Sequence, residues 1–236
     1  MTTNTKFWTL EEILTKMKRE LDLDEEDFTD DDELREYAND AIDEAESIIH
    51  TLNEDYFLTR KPDCDFEAGI DEYPMPEDIY ATKIRKIVFY DGTVIYPVGR
   101  LGTLEKFMEY RASRSFPTYD NLSLGYFVTN ITSSNPRIAF SPVPVARGKY
   151  EVWYIRNANR LEDAEDVCDI PEFVRFIFDY IRERVSYKEA AGSPKHQDSV
   201  TKLDQTRNNM RLTLQEMVID GETELPLDMT HYEEST

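Results

Sequence analysis

The sequence predicts an α+β protein in which a helical bundle built from N- and C-terminal helices carries an inserted antiparallel β-rich domain. Three observations predict it. Residues 31–52 hold an apolar stripe at helical spacing, and the same period returns in residues 173–185 and 200–217. Between them, apolar runs of strand length alternate with clusters of Asn, Ser, Pro and Gly. The helical segments lie at the two ends of the chain, so they must meet in space to bury their stripes. The expected division is a discontinuous helical domain of residues 1–53 and 169–221, a β-rich domain of residues 54–168, and an acidic extended tail of residues 222–236.

Thr9-Leu10-Glu11-Glu12 reads as a capping box, with a hydroxyl at the cap and a carboxylate three residues on. Leu10, Ile13, Leu14, Met17 and Leu21 follow it as one amphipathic stripe, and Lys16, Lys18 and Arg19 suit the negative end of that helix. Residues 22–33 carry nine acids. An EF-hand register puts Asp22, Asp24, Glu26 and Glu33 at positions one, three, five and twelve, but Asp27 stands where the turn needs glycine and Thr29 where an aliphatic belongs. The segment therefore reads as a solvated linker that also caps the next helix. In that helix Leu34, Tyr37, Ala38, Ala41, Ile42, Ala45, Ile48, Ile49 and Leu52 form the stripe, with Thr29 or Asp30 as cap. Its length is about 33 Å at 1.5 Å per residue.

Residues 56–60 read as a strand and 61–73 as loop with room for a short strand. Pro76 opens a short helical turn. Strands at 83–90 and 93–98 flank Asp91-Gly92, a strong hairpin signal. A short helix follows Thr103, then strands at 126–129, 137–140 and 150–155. Such spacing predicts an antiparallel sheet, sandwich or partial barrel. Pro171 opens a helix striped by Phe173, Phe176, Ile177, Tyr180, Ile181 and Val185, which stops near Gly192-Ser193-Pro194. A last helix spans 195–218, with Val200, Leu203, Met210, Leu214 and Met217 in its stripe and Arg207 taking one place.

The 236 residues carry a formal net charge of −22. That opposes equilibrium binding to nucleic acid, which needs Lys and Arg to neutralise phosphates, yet an acidic wall lets DNA slide past. Cys64 and Cys168 show neither zinc nor redox spacing and read as reduced thiols. No apolar run approaches the ~20 residues that cross a bilayer, and residues 1–10 lack a signal-peptide core. Synthesis in a cytoplasm and no membrane partner are the expectation.

Chemistry is sparse. His50, His196 and His231 lie in separate segments without ligand spacing, so no metal or cofactor is expected. No nucleophile elbow, phosphate loop or zinc-protease motif is present. Glu11/Glu12 and Asp163/Glu165/Asp166 read as exposed charge, and Trp8 and Trp153 as packing residues. A soluble carboxylate hydrolase is therefore a weaker reading than a non-catalytic protein-binding module. In the tail, Leu225, Leu227, Met229 and Tyr232 are spaced apolar anchors suited to strand addition on a partner.

The order of segments resembles the phage head-to-tail adaptor (connector) family, relatives of the tail tubular proteins of short-tailed phages. The resemblance rests on Thr9-Leu10-Glu11-Glu12-Ile13-Leu14, on Phe28-Thr29-Asp30-Asp31-Asp32-Glu33-Leu34 and on Tyr37-Ala38-Asn39-Asp40-Ala41. It continues through Pro76-Glu77-Asp78, Arg85-Lys86-Ile87-Val88 and Asp91-Gly92. Tyr126-Phe127-Val128-Thr129-Asn130, Arg137-Ile138-Ala139-Phe140-Ser141-Pro142-Val143-Pro144, the 150–155 strand and Ile170-Pro171-Glu172 complete it. The linker at 22–32 is more acidic than the family pattern. The resemblance implies no catalysis and no cofactor. It implies a dodecameric homo-oligomeric ring in the neck of a virion, between the portal protein and a tail, nozzle or tail-fibre protein, through which DNA passes without specific binding. A terminal segment, here the one bearing Leu225, Leu227, Met229 and Tyr232, would dock on the portal.

Overall fold

The computed structural model describes residues 6–23, 29–90, 95–113, 124–132, 135–141, 143 and 147–221. They form five α-helices and seven strands, and the chain divides into two compact units, residues 1–54 with 158–236 and residues 55–157.

The first unit is helical. α1 (Leu10–Leu21) opens on the capping box: Thr9 Oγ1 accepts the Glu12 amide at 3.2 Å and the Glu12 carboxylate accepts the Thr9 amide at 3.4 Å. α2 (Asp31–Leu52) is capped by Asp30, whose carboxylate accepts the Glu33 amide at 2.8 Å. Its stripe buries Leu34, Ala38, Ala41, Ile42, Ala45 and Ile49, while Tyr37, Ile48 and Leu52 are half-buried. A 3-10 turn, Pro171–Phe173, leads into α4 (Val174–Ala190), and α5 (Pro194–Gly221) follows. α4 touches α1, α2 and α5. Accordingly residues 176–181 are all buried, a band wider than one stripe, as expected of a helix surrounded by others. Gly192, at φ 77°, makes the turn between α4 and α5.

Residues 158–168, expected in the β-rich domain, group with the helical unit. The reason is backbone hydrogen bonding. The first amides of α1 have no partner inside the helix. Here Leu10 N–H donates to Asp166 O at 2.9 Å and Glu11 N–H to Ala164 O at 3.0 Å. Cys168 N–H donates to Trp8 O at 2.8 Å. The buried amide of Asn39 on α2 holds both polar groups of Leu161, accepting its N–H at 2.9 Å and donating to its C=O at 3.0 Å.

The second unit contains β1 (Leu58–Phe66), β2 (Glu72–Pro74), β3 (Ile79–Tyr90), β4 (Ile95–Arg100), α3 (Leu104–Ser113), β5 (Gly125–Thr129), β6 (Arg137–Ser141) and β7 (Gly148–Arg156). The strand order is β1-β7-β3-β4-β5-β6-β2. The sheet is mixed rather than antiparallel, because β4 and β5 run parallel at Gly99↔Gly125 and Arg100↔Tyr126. Helix α3 lies between those two strands in sequence and supplies the crossover that a parallel pair requires. Residues 61–66, expected as loop with room for a short strand, continue β1 past a register shift at Lys61/Cys64. Pro76 opens a turn over Glu77 and Asp78, closed by the Ile79 amide on Pro76 O at 3.4 Å. The hairpin turn at Asp91-Gly92 lies outside the described residues, but β3 and β4 pair antiparallel on either side of it, Tyr90 opposite Ile95.

β1 and β2 stand at opposite ends of the strand order, yet the Phe66 and Tyr73 rings stack 5.5 Å apart. Phe140 and Tyr150 close the cluster at 5.3 Å from one another. The sheet is therefore curled around one aromatic core, to which Ile87, Phe89, Val98, Val128, Ile138 and Val152 also contribute. Phe107 of α3 covers the other face at Phe127, 5.7 Å between rings.

Candidate interaction surface

Several of the acids and histidines singled out by sequence have structural roles. Glu12 is in the capping box. Asp166 accepts the amides of Glu162 and Asp163 at 2.8 Å each, and these hydrogen bonds hold its carboxyl below the usual range. His50 lies 3.4 Å from Glu46 along α2. His196 latches the turn between α4 and α5: Nδ1 accepts the Gly192 amide at 3.0 Å and Nε2 lies 3.2 Å from Glu183. Among the described residues, no three His, Cys, Asp or Glu side chains are grouped to hold a metal ion. No helix among them is long and apolar enough to cross a membrane. Residues 24–28 of the calcium register, His231 and the anchors Leu225, Leu227, Met229 and Tyr232 lie outside the described residues.

The thiols are not activated. Burial pushes Cys168 up to about 11 and also raises Cys64, the opposite of what a nucleophilic thiolate needs. Burial raises Tyr150 and Tyr154 as well, and the Asp78 carboxylate that accepts the Tyr154 hydroxyl at 2.8 Å adds to the second shift. Trp8 packs edge-on to Phe178 at 5.2 Å.

One buried charge was not apparent in the sequence. Asp179 of α4 is 1% exposed and pairs with Arg182, with Arg175 at 3.4 Å, and with the Thr206 hydroxyl at 2.7 Å. Arg182 reaches Glu20 of α1 at 2.6 Å. The network ties α1, α4 and α5 together, and Arg175, Asp179 and Thr206 line a polar cleft of about 360 Å³. Arg207, the polar member of the last helix's stripe, bonds Glu44 of α2 at 2.7 Å. These contacts link the helices of the unit to one another.

What remains is surface. The helical unit holds 14 Lys and Arg against 36 Asp and Glu, and the β unit 13 against 13. The whole −22 therefore falls on the helical unit, and the β unit is neutral. Seven of the twelve exposed large apolar side chains among the described residues lie on the neutral unit: Leu58, Ile70, Tyr90, Ile95, Leu104, Met108 and Ile131. The signal was present in the sequence, since Ile87-Val88-Phe89-Tyr90 is apolar at every position and so places apolar side chains on both faces of its strand.

The chain matches no protein-family model, and no curated protein is similar to it at a significant level.

Proposed function

We propose that the protein is a structural, non-catalytic head-to-tail adaptor of a tailed-phage virion, assembling as a dodecameric ring between portal and tail through which DNA passes. The bundle-with-insert plan is part of this proposal: both chain ends contribute to the helical layer, and the β-rich part is an insertion between them. The observation that carries it is the division of the chain, whose N- and C-terminal helices pack into one unit while residues 55–157 form the other. That division supports the segment order on which the family resemblance rests. The charge partition adds support, because an acidic helical wall repels DNA and a neutral β unit can meet protein neighbours.

The purified chain should join the portal protein of its own phage as a ring under negative-stain microscopy. Persistent monomers in the presence of portal would contradict the proposal. A non-catalytic binding module of another kind would give a defined complex with a different protein and none with portal.

A further inference from the structure

The outer face of the β3–β4 hairpin carries an apolar block defined by strand register. Ile87, Phe89, Tyr96 and Val98 face the core, so the alternate positions face outward. Val88 pairs with Pro97 and Tyr90 with Ile95, giving two adjacent cross-strand pairs on one face. Ile95 is 64% exposed, and Tyr90 and Pro97 are exposed as well. Beside the block on β7, Glu151 and Lys149 lie opposite Val88 and Tyr90. Both have charge partners within the unit, Arg60 at 3.6 Å and Asp63 at 3.0 Å. An apolar centre whose rim on β7 is charge-paired is the anatomy of a protein interface.

Charge selects the occupant. A basic partner would be drawn to the helical unit, where all the net negative charge lies. Two copies of this chain repel through that same unit and can approach without like-charge cost only through the neutral one. We infer that copies of this chain associate through their β units, with Val88, Tyr90, Ile95 and Pro97 buried against a second copy. Ring closure needs a heterologous contact, so the block meets a different part of the neighbour's β unit. The exposed Leu104 and Met108, four residues apart on α3, offer an apolar pair there, among Glu105, Lys106, Glu109 and Arg111, whose charges cancel.

This inference deepens the ring reading and is separable from it. Sedimentation velocity on the full chain, at 50 and 500 mM NaCl and with or without portal, tests it. Self-association should strengthen at high salt, which screens the helical units. Ile95→Asp should raise the concentration needed by at least about tenfold, with thermal midpoint and circular dichroism unchanged. Asp40→Arg, on the exposed side of α2, should not weaken association. Wild-type association that Ile95→Asp leaves unaltered, or that salt weakens, would overturn the inference. So would attachment to portal as isolated single copies, an outcome that leaves portal docking intact. Association through Ile95 without any portal binding would instead overturn the adaptor reading alone.

Discussion

Asn39 does in one side chain what usually takes two. Its amide satisfies the donor and the acceptor of a buried backbone residue, Leu161, 122 positions away. Asn39→Leu keeps the volume and removes both bonds, leaving two buried polar groups unpaired. The expected cost is about 2–6 kcal/mol, taking 1–3 kcal/mol for each orphaned group, and urea denaturation measures it. An unchanged midpoint would mean that water reaches Leu161. Gly148 presents a steric counterpart. A Cβ there would stand 2.6 Å from the Phe89 ring, inside the aromatic core. Gly148→Ala should cost about 1–3 kcal/mol by overpacking, and its thermal midpoint should fall accordingly.

At the scale of elements, the helices follow from periodicity and caps. α1 and α2 begin where Thr9 and Asp30 supply their caps, and α2 spans the full predicted stripe. Depth within the stripe was less legible. Ala41 is fully buried but Ile48 is only half-buried. Ala41→Asp should unfold the helical layer, because it buries an unpaired charge, whereas Ile48→Asp should cost far less. The centrality of α4 was hidden because Asp179 and Ser186 look like surface residues until their burial is seen. In the sheet, the strands were readable from apolar runs, but the parallel β4–β5 contact depends on just two long-range residue pairs and left no local signature. The same holds for residues 158–168, attached by backbone atoms that any sequence supplies and by the side chain of Asn39, 122 positions from its partner Leu161.

The first turn of α2 also carries a pH prediction. Hydrogen bonds from Lys188 and then Tyr37 hold Glu33 below its usual 4.5. A depressed carboxyl contributes stability above its unfolded value and loses it as pH falls through the folded one. Glu33→Gln should therefore be less stable than wild type at pH 6, and the gap should close as pH falls below 4.5. A gap independent of pH in thermal melts would show that the ion pair with Lys188 adds nothing beyond neutral hydrogen bonding.

For the whole molecule, the partition of charge governs what the protein can meet. With a surplus of acids confined to the helical unit, duplex DNA at physiological salt should show no measurable binding in a mobility-shift assay. Removing residues 222–236 should leave the melting temperature unchanged and impair docking on portal. Normal docking by the truncated chain would free Leu225, Leu227, Met229 and Tyr232 of the role proposed for them. The most direct measurement is negative-stain imaging of the chain mixed with its portal protein. The account predicts a ring of this chain seated on the portal, twelve copies around a central channel. Monomers beside bare portals would contradict it.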